Sequence, residues 1–216
     1  EKYEDMIEEA AVIDITDTYF EGSSSKAKRR RGKDEKVRKL IQIALAVTLK
    51  HGFPIFHEVY HGNTSGISIY RDMILRLKKR NMNSIILDRG FLSAENLKIT
   101  LCLSCKIIAG LKRTQTFEAD YLSKIKRTEI YSLKNRVTLT NTSVHIKSFD
   151  YQNGKLIVVY NPSLEVLKND LNFEKGIDNN DKYTGYSFIY HNTSLSDDAA
   201  VKKYFEKDVV ERAFKQ

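Results

Sequence analysis

The stretch VRKLIQIALAVTL, residues 37–49, decides the architecture of the N-terminal half. A nearly continuous apolar run suits a strand buried on both faces as well as it suits a buried helix. The residues after it tip the reading. KHGFP, 50–54, is a tight turn signal, and IFHEVYH, 55–61, is rich in β-branched and aromatic residues. The two runs therefore read as an antiparallel strand hairpin, with a helix over 37–47 as the alternative.

Working outward, AAVIDITDTYF, 10–20, reads as the first strand. Between it and the hairpin lies EGSSSKAKRRRGKDEK, 21–36, a polar and strongly basic connection. Downstream, HGNTSG is a loop. ISIYRDMILRLKKRN, 67–81, places Ile67, Tyr70, Ile74 and Leu77 at helical spacing and ends in a basic turn that suits the helix dipole. NSIILD, 83–88, is a strand. SAENLKITLCLS, 93–104, is a helix with a serine N-cap, and CKIIAGL, 105–111, is another strand. A meander followed by α/β alternation predicts a mixed sheet with helices on its faces.

Residues 113–182 differ in character. TEIYSL, SVHIKSFDY and KLIVVYN carry strand signals, Gln152, Asn153 and Gly154 make a hairpin turn, and SLEVLKNDLNFEKG reads as a short helix. This region is expected to be a β-rich insertion. YTGYSFIYHN, 183–192, returns to strand, and a helix is expected from about 197 to the C-terminus. The domain plan is thus 1–112, a first core segment; 113–182, the insertion; and 183–216, a closing strand and helix.

With 216 residues, 41% of them hydrophobic and 30% charged, the chain has the composition of a folded globular domain. Its longest apolar runs are too short to span a bilayer, and its acidic opening, EKYEDMIEEA, is no signal peptide. The absence of an initiator methionine suggests a fragment. A net charge of +8 and pI near 9.3 favour a polyanionic partner such as nucleic acid. Cys102 and Cys105 form a lone C-x-x-C, a poor zinc site without a second pair, and read as core thiols in a reducing compartment. The histidines at 57, 61, 145 and 191 show no metal-ligand spacing.

Three acids stand out. Asp14 lies among Val12, Ile13 and Ile15, where a carboxylate costs desolvation unless paired or metal-bound. Asp88 ends the apolar run IIL, and strand ends are where ligands meet carboxylates in face-covered sheets. On an ideal helix, Glu211 shares a face with Tyr204 and Lys207, while Val201, Phe205, Val209 and Ala213 form a separate apolar stripe. Singly, each acid reads as readily as an ordinary solvated carboxylate. Together they suit two Mg²⁺ or Mn²⁺ ions, which take oxygen ligands and keep positions open for water and phosphate. The basic run Lys26, Lys28, Arg29, Arg30 and Arg31 reads either as a phosphate contact or as a solvated loop. Tyr186, Phe188 and Tyr190 read as core residues or as a base-stacking platform.

VIDITDTYFEG, GFPIFHEVYHGNTSG, ILDRGFLSAENL and YFEKDVVERAFK occur in that order. Together they resemble the DDE transposases of bacterial and archaeal insertion sequences, in the branch marked by a Tyr-Arg-Glu-Lys signature on the last catalytic helix. Tyr204, Lys207 and Glu211 match that signature, with lysine in the arginine place. Its final lysine would fall past Gln216, and Gly66 stands where an acid is usual. The resemblance covers nearly the whole chain outside the insertion. It implies an RNase H-like core with the insertion between the second and third acids. Asp14, Asp88 and Glu211 would be the catalytic, metal-binding triad for two Mg²⁺ or Mn²⁺ ions. Tyr204 and Lys207 would contact DNA phosphate, and Arg89 would pair locally or do the same.

The implied chemistry is endonucleolytic cleavage of double-stranded DNA at element ends, then strand transfer to target DNA. The implied assembly is a homodimer in a synaptic complex, and the implied setting is the prokaryotic cytoplasm at the nucleoid, away from membranes. Two alternatives remain: a truncated or decayed transposase fragment that binds DNA without catalysis, and a different RNase H-like nuclease.

Overall fold

The structure is a computed structural model and describes residues 10–32, 35–177 and 181–215. The acidic opening, residues 1–9, lies outside them. The chain divides into two compact units, residues 1–109 with 206–216, and residues 110–205.

The first unit contains β1 (Ala11–Tyr19), β2 (Lys28–Arg31), β3 (Val37–Thr48), β4 (Pro54–His61), α1 (Gly66–Lys78), β5 (Ser84–Leu87), α2 (Ala94–Cys102) and the start of β6 (Lys106–Leu111). The 37–49 run is a strand, because its backbone groups find partners on both sides. β3 pairs antiparallel with β1 along one edge, and with β2 and then β4 along the other. Leu40, Ala44, Leu45, Ala46 and Val47 are buried, so the run is apolar on both faces of the sheet. The turn to β4 is closed by the Gly52 amide donating to the Thr48 carbonyl at 2.9 Å and the Phe53 amide donating to Thr48 Oγ1 at 3.1 Å. On the far side of β1 the sheet changes sense: β1 pairs parallel with β5, and β5 parallel with β6. The expected mixed sheet is present. It holds one strand more than expected, since Lys28–Arg31 of the basic connection extends along β3.

α1 starts at an N-cap in which Ser65 Oγ accepts from the Ser68 amide at 3.1 Å. Its buried stripe is Ile69, Tyr70, Met73, Ile74 and Leu77. Tyr70, Ile74 and Leu77 fall where expected, whereas Ile67 is 38% exposed and Ile69 and Met73 widen the stripe. α2 is capped by Ser93, as expected, and is joined to α1 by a 2.5 Å hydrogen bond between Tyr70 Oη and Thr100 Oγ1. The cysteine expectation is corrected in part. Cys105 is buried beside β6, but Cys102, at the C-terminal end of α2, faces solvent.

The second unit is built on an antiparallel ladder of β7 (Arg136–Thr138), β8 (Ser143–Tyr151), β9 (Gly154–Tyr160) and β10 (Tyr186–His191). The β8–β9 turn falls where expected. Tyr151 pairs with Gly154, and Gln152 and Asn153 take φ of 46° and 60°, as a primed two-residue turn requires. The unit also carries α3 (Gln115–Asp120), α4 (Arg127–Ile130), α5 (Pro162–Glu174) and α6 (Asp197–Phe205). TEIYSL is therefore not a strand; it enters α4, whose end is held by Asn135 Nδ2 donating to the Glu129 carbonyl at 2.8 Å. Phe188 and Tyr190 of β10 are 1% and 0% exposed, and Tyr186 stacks on Tyr160 at 4.7 Å. Burial makes Phe188 and Tyr190 core rather than a base-stacking platform, while Tyr186 is half-buried.

Candidate functional site

The parallel pairing of β1 with β5 brings two of the three acids together. Val12 pairs with Ile86 and Ile13 with Leu87, so Asp14 and Asp88 follow at the same level on neighbouring strands. Such strands lie about 4.8 Å apart. β5 ends at Leu87, whereas β1 continues to Tyr19 paired with β3 alone. The carboxylates therefore sit where the parallel pair opens, Asp88 just past the end of β5 and Asp14 within β1. Gly90, at φ 107°, supplies a conformation open mainly to glycine just where the chain leaves the sheet.

The third acid comes from the end of the chain. Residues 206–208 form a 3₁₀ turn, followed by α7 (Val209–Ala213), which packs on β1 and β3. Val12, Ile13, Asp14, Asp88, Lys207, Val210 and Glu211 line one narrow cleft of about 10 Å³, near the space of a single water. Lys207 Nζ stands 3.5 Å from Asp88 Oδ1 and 3.7 Å from Asp208 Oδ1. The ammonium partly offsets the charge that would otherwise build up as carboxylates converge.

The donor set is all carboxylate oxygen, which fits Mg²⁺ or Mn²⁺ and suits neither zinc nor copper. Among the described residues, however, no three His, Cys, Asp or Glu side chains are gathered into a cluster that could hold a metal ion. The donor chemistry of the cleft thus suits Mg²⁺ or Mn²⁺, while the acids are not gathered as a metal cluster and Lys207 stands against Asp88.

The other expected site residues are dispersed. The single terminal helix expected from about 197 is interrupted by a 3₁₀ turn at 206–208, while Lys207 and Glu211 still line one cleft. Tyr204 belongs to the second unit, is 7% exposed and packs edge-on against Phe205. Val201 and Val209 of the expected apolar stripe are buried, whereas Phe205 and Ala213 are only half-buried. Arg89 is exposed beside Asp88. In the basic run, Lys28, Arg29 and Arg31 are exposed, Arg30 is ion-paired with Asp17, and Lys26 Nζ donates to the Val59 carbonyl at 2.7 Å. None of the four histidines named above joins a metal cluster. His191 Nε2 lies 3.1 Å from Asp197 Oδ1 and Nδ1 lies 3.1 Å from Thr193 Oγ1.

One residue that supports the site escaped sequence reading. Asn96, in SAENL, is fully buried. Its Nδ2 donates to the Phe91 carbonyl at 2.8 Å and the Ile67 carbonyl at 3.2 Å, while Oδ1 accepts from Arg71 Nε at 3.0 Å. It ties the segment just after Asp88 to α1. A polar residue early in a helix gave no hint of this, because its partners lie in other elements.

The mixed sheet flanked by helices matches the RNase H-like fold of a transposase catalytic domain. A family profile described as "Transposase DDE domain" matches residues 6–215, and the chain belongs to that family. Among solved structures, a piggyBac transposase in a synaptic complex with hairpin DNA, studied by cryo-electron microscopy, is similar in fold. The TM-score is 0.57 at 15% identity, over 94% of this chain and 39% of that one. This chain therefore spans well under half of that relative's length. No curated protein matches. No helix among the described residues is long and apolar enough to cross a membrane.

Proposed function

We propose that this chain is a transposase catalytic domain of the Tyr-Arg-Glu-Lys branch, cutting and joining double-stranded DNA, with Asp14, Asp88 and Glu211 as its metal-binding acids. Residues 113–182 would be the insertion between the second and third acids. The observation that carries the reading is that acids from three distant parts of the chain line one cleft at the opening of a parallel strand pair. Family membership supports it, because this family is enzymatic.

Two divalent ions, when bound, would supply the activation of an attacking oxygen and the stabilisation of a leaving one. The chain's own residues do the rest. Asp14 and Asp88 each directly follow the last pair of the β1–β5 ladder, Ile13 with Leu87, so that register brings them to the same level. Glu211 is positioned by the docking of α7. Lys207, four residues before it and 3.5 Å from Asp88, holds a positive charge at the cleft and would be available to a phosphate oxygen there. Exposed Arg89 adds a second cation at the same strand end.

Nicking of supercoiled DNA in Mg²⁺ or Mn²⁺ tests the assignment. Asp14→Asn, Asp88→Asn and Glu211→Gln should each abolish cleavage while leaving DNA affinity largely intact. Cleavage by Asp88→Asn at the parent rate would sink it. A chain that binds DNA but does not nick with either ion would favour the reading as a binding fragment without catalysis.

A further inference from the structure

The β2–β3 ribbon carries more positive charge than its own fold can answer, and the two faces of the ribbon differ. Arg29 lies opposite Lys39, Arg30 opposite Arg38, Lys28 opposite Leu40 and Arg31 opposite Val37. Side chains alternate along strands, so Arg29, Arg31, Val37 and Lys39 share one face, and Lys28, Arg30, Arg38 and Leu40 the other. β1 adds Tyr19 opposite Leu40 and Asp17 opposite Gln42, which puts both on the Arg30–Arg38 face. That face is largely answered within the chain: Arg30 pairs with Asp17, and the Arg38 guanidinium lies 4.4 Å over the Tyr19 ring.

The opposite face is not answered in this way. Among the described residues, Arg29, Arg31 and Lys39 have no ion pair with a carboxylate. Lys39 Nζ donates to the Gly22 carbonyl at 3.1 Å, a dipole rather than a carboxylate. Directly opposed like charges such as Arg29 and Lys39 are destabilising across a strand pair. All three side chains are exposed.

The same alternation relates this face to the cleft. Asp14 lies opposite Leu45 on β3, and Leu45, Ile43, Ile41 and Lys39 fall on one side of that strand. From Leu45 to Lys39 the strand covers roughly 20 Å. A nucleic-acid backbone rising about 3.4 Å per nucleotide would span that distance in roughly six steps.

Resting on the function proposed above, we infer that Arg29, Arg31 and Lys39 form a phosphate track that holds the DNA backbone on the Asp14 side of the sheet. Lys28 and Arg30, although part of the same basic run, lie off it. The contacts are to phosphate, so they carry no base preference.

The test is the salt dependence of binding by the full chain to a duplex of arbitrary sequence. Each neutralised phosphate contact contributes a slope of about −0.9 in log K against log salt. Arg29→Gln, Arg31→Gln and Lys39→Gln should each make the slope shallower by about 0.9, and the triple variant by about 2.7, equally on unrelated sequences. Lys28→Gln, of the same charge on the opposite face, should keep the parent slope. Circular dichroism checks that every variant is folded. If the parent binds and the triple variant keeps its slope, or Lys28→Gln shifts it as far as Arg29→Gln, the track is overturned and the DNA reading stands. If the parent shows no salt-dependent binding, both fall.

Discussion

Asn96 has no charge and no part in chemistry, yet its amide joins three segments around Asp88. Replacing it with leucine would leave the Phe91 carbonyl without this buried partner and remove one partner each from the part-buried Ile67 carbonyl and Arg71 Nε, Arg71 keeping its ion pair with Glu95. An unsatisfied buried polar group costs about 1–3 kcal/mol. Asn96→Leu is therefore expected to lower Tm by several degrees in a thermal melt and to reduce nicking more than the stability loss alone explains. Lys207 makes the complementary point. The resemblance casts it as a phosphate contact, whereas in this structure it stands against Asp88. Sequence could name both residues but could not say that they meet, because the contact depends on how α7 docks.

At the scale of elements, the end of the chain is the clearest departure from expectation. Periodicity alone projects one helix through Tyr204, Lys207 and Glu211. The observed break divides that helix, so Lys207 lies in a 3₁₀ turn and Glu211 in a short helix of its own. α7 is too short to be stable alone and depends on its contact with the sheet. Gly52 in the β3–β4 turn is part of that contact. It has φ +67°, and a Cβ there would come within 2.9 Å of Val209 Cγ2. A non-glycine residue in the left-handed region costs roughly 1–2 kcal/mol before any clash. Gly52→Ala is expected to destabilise the first unit and to speed hydrogen exchange in 209–213 ahead of the sheet. Unchanged exchange there would show that Gly52 does not support α7. The β3 run shows the converse case. Its apolar continuity fits strand or helix, and the short turn to β4 was the sequence feature that pointed to the right one.

At the scale of the whole molecule, both units hold carboxylates whose pKa is lowered. Burial pushes Asp72, Asp181 and Asp197 upward, but hydrogen bonds outweigh it. The donors are Tyr60 and Arg76 for Asp72, Arg113 and the Tyr183 amide for Asp181, and Ser148 and His191 for Asp197. A carboxyl whose folded pKa is depressed stabilises the fold above its unfolded pKa, and that stability is lost as pH falls through the folded value. Both units should hold full stability from these groups near neutrality and lose it progressively below about pH 4. Thermal melts from pH 7 to pH 2 check this. Ser148→Ala should make the acid loss smaller, since Asp197 would then titrate closer to its unfolded value. An identical pH profile would count against Asp197 as a contributor.

The sequence by itself determined the mixed α/β class, the first-unit helices and their serine caps, and the β8–β9 turn. These follow from local rules: hydrophobic period, capping chemistry and the backbone freedom of turn residues. It also identified Asp14 and Asp88 as candidates, since acids beside buried apolar runs are costly unless used, and Glu211 from its helical spacing to Tyr204 and Lys207. Only the tertiary structure decided the rest. It made Lys28–Arg31 a strand, put Tyr204, Phe188 and Tyr190 in the core, placed Lys207 on Asp88, and separated the two faces of the basic ribbon. These depend on strand pairing and register or on how an element docks, and such partners outside the local segment leave no trace in its own residue pattern.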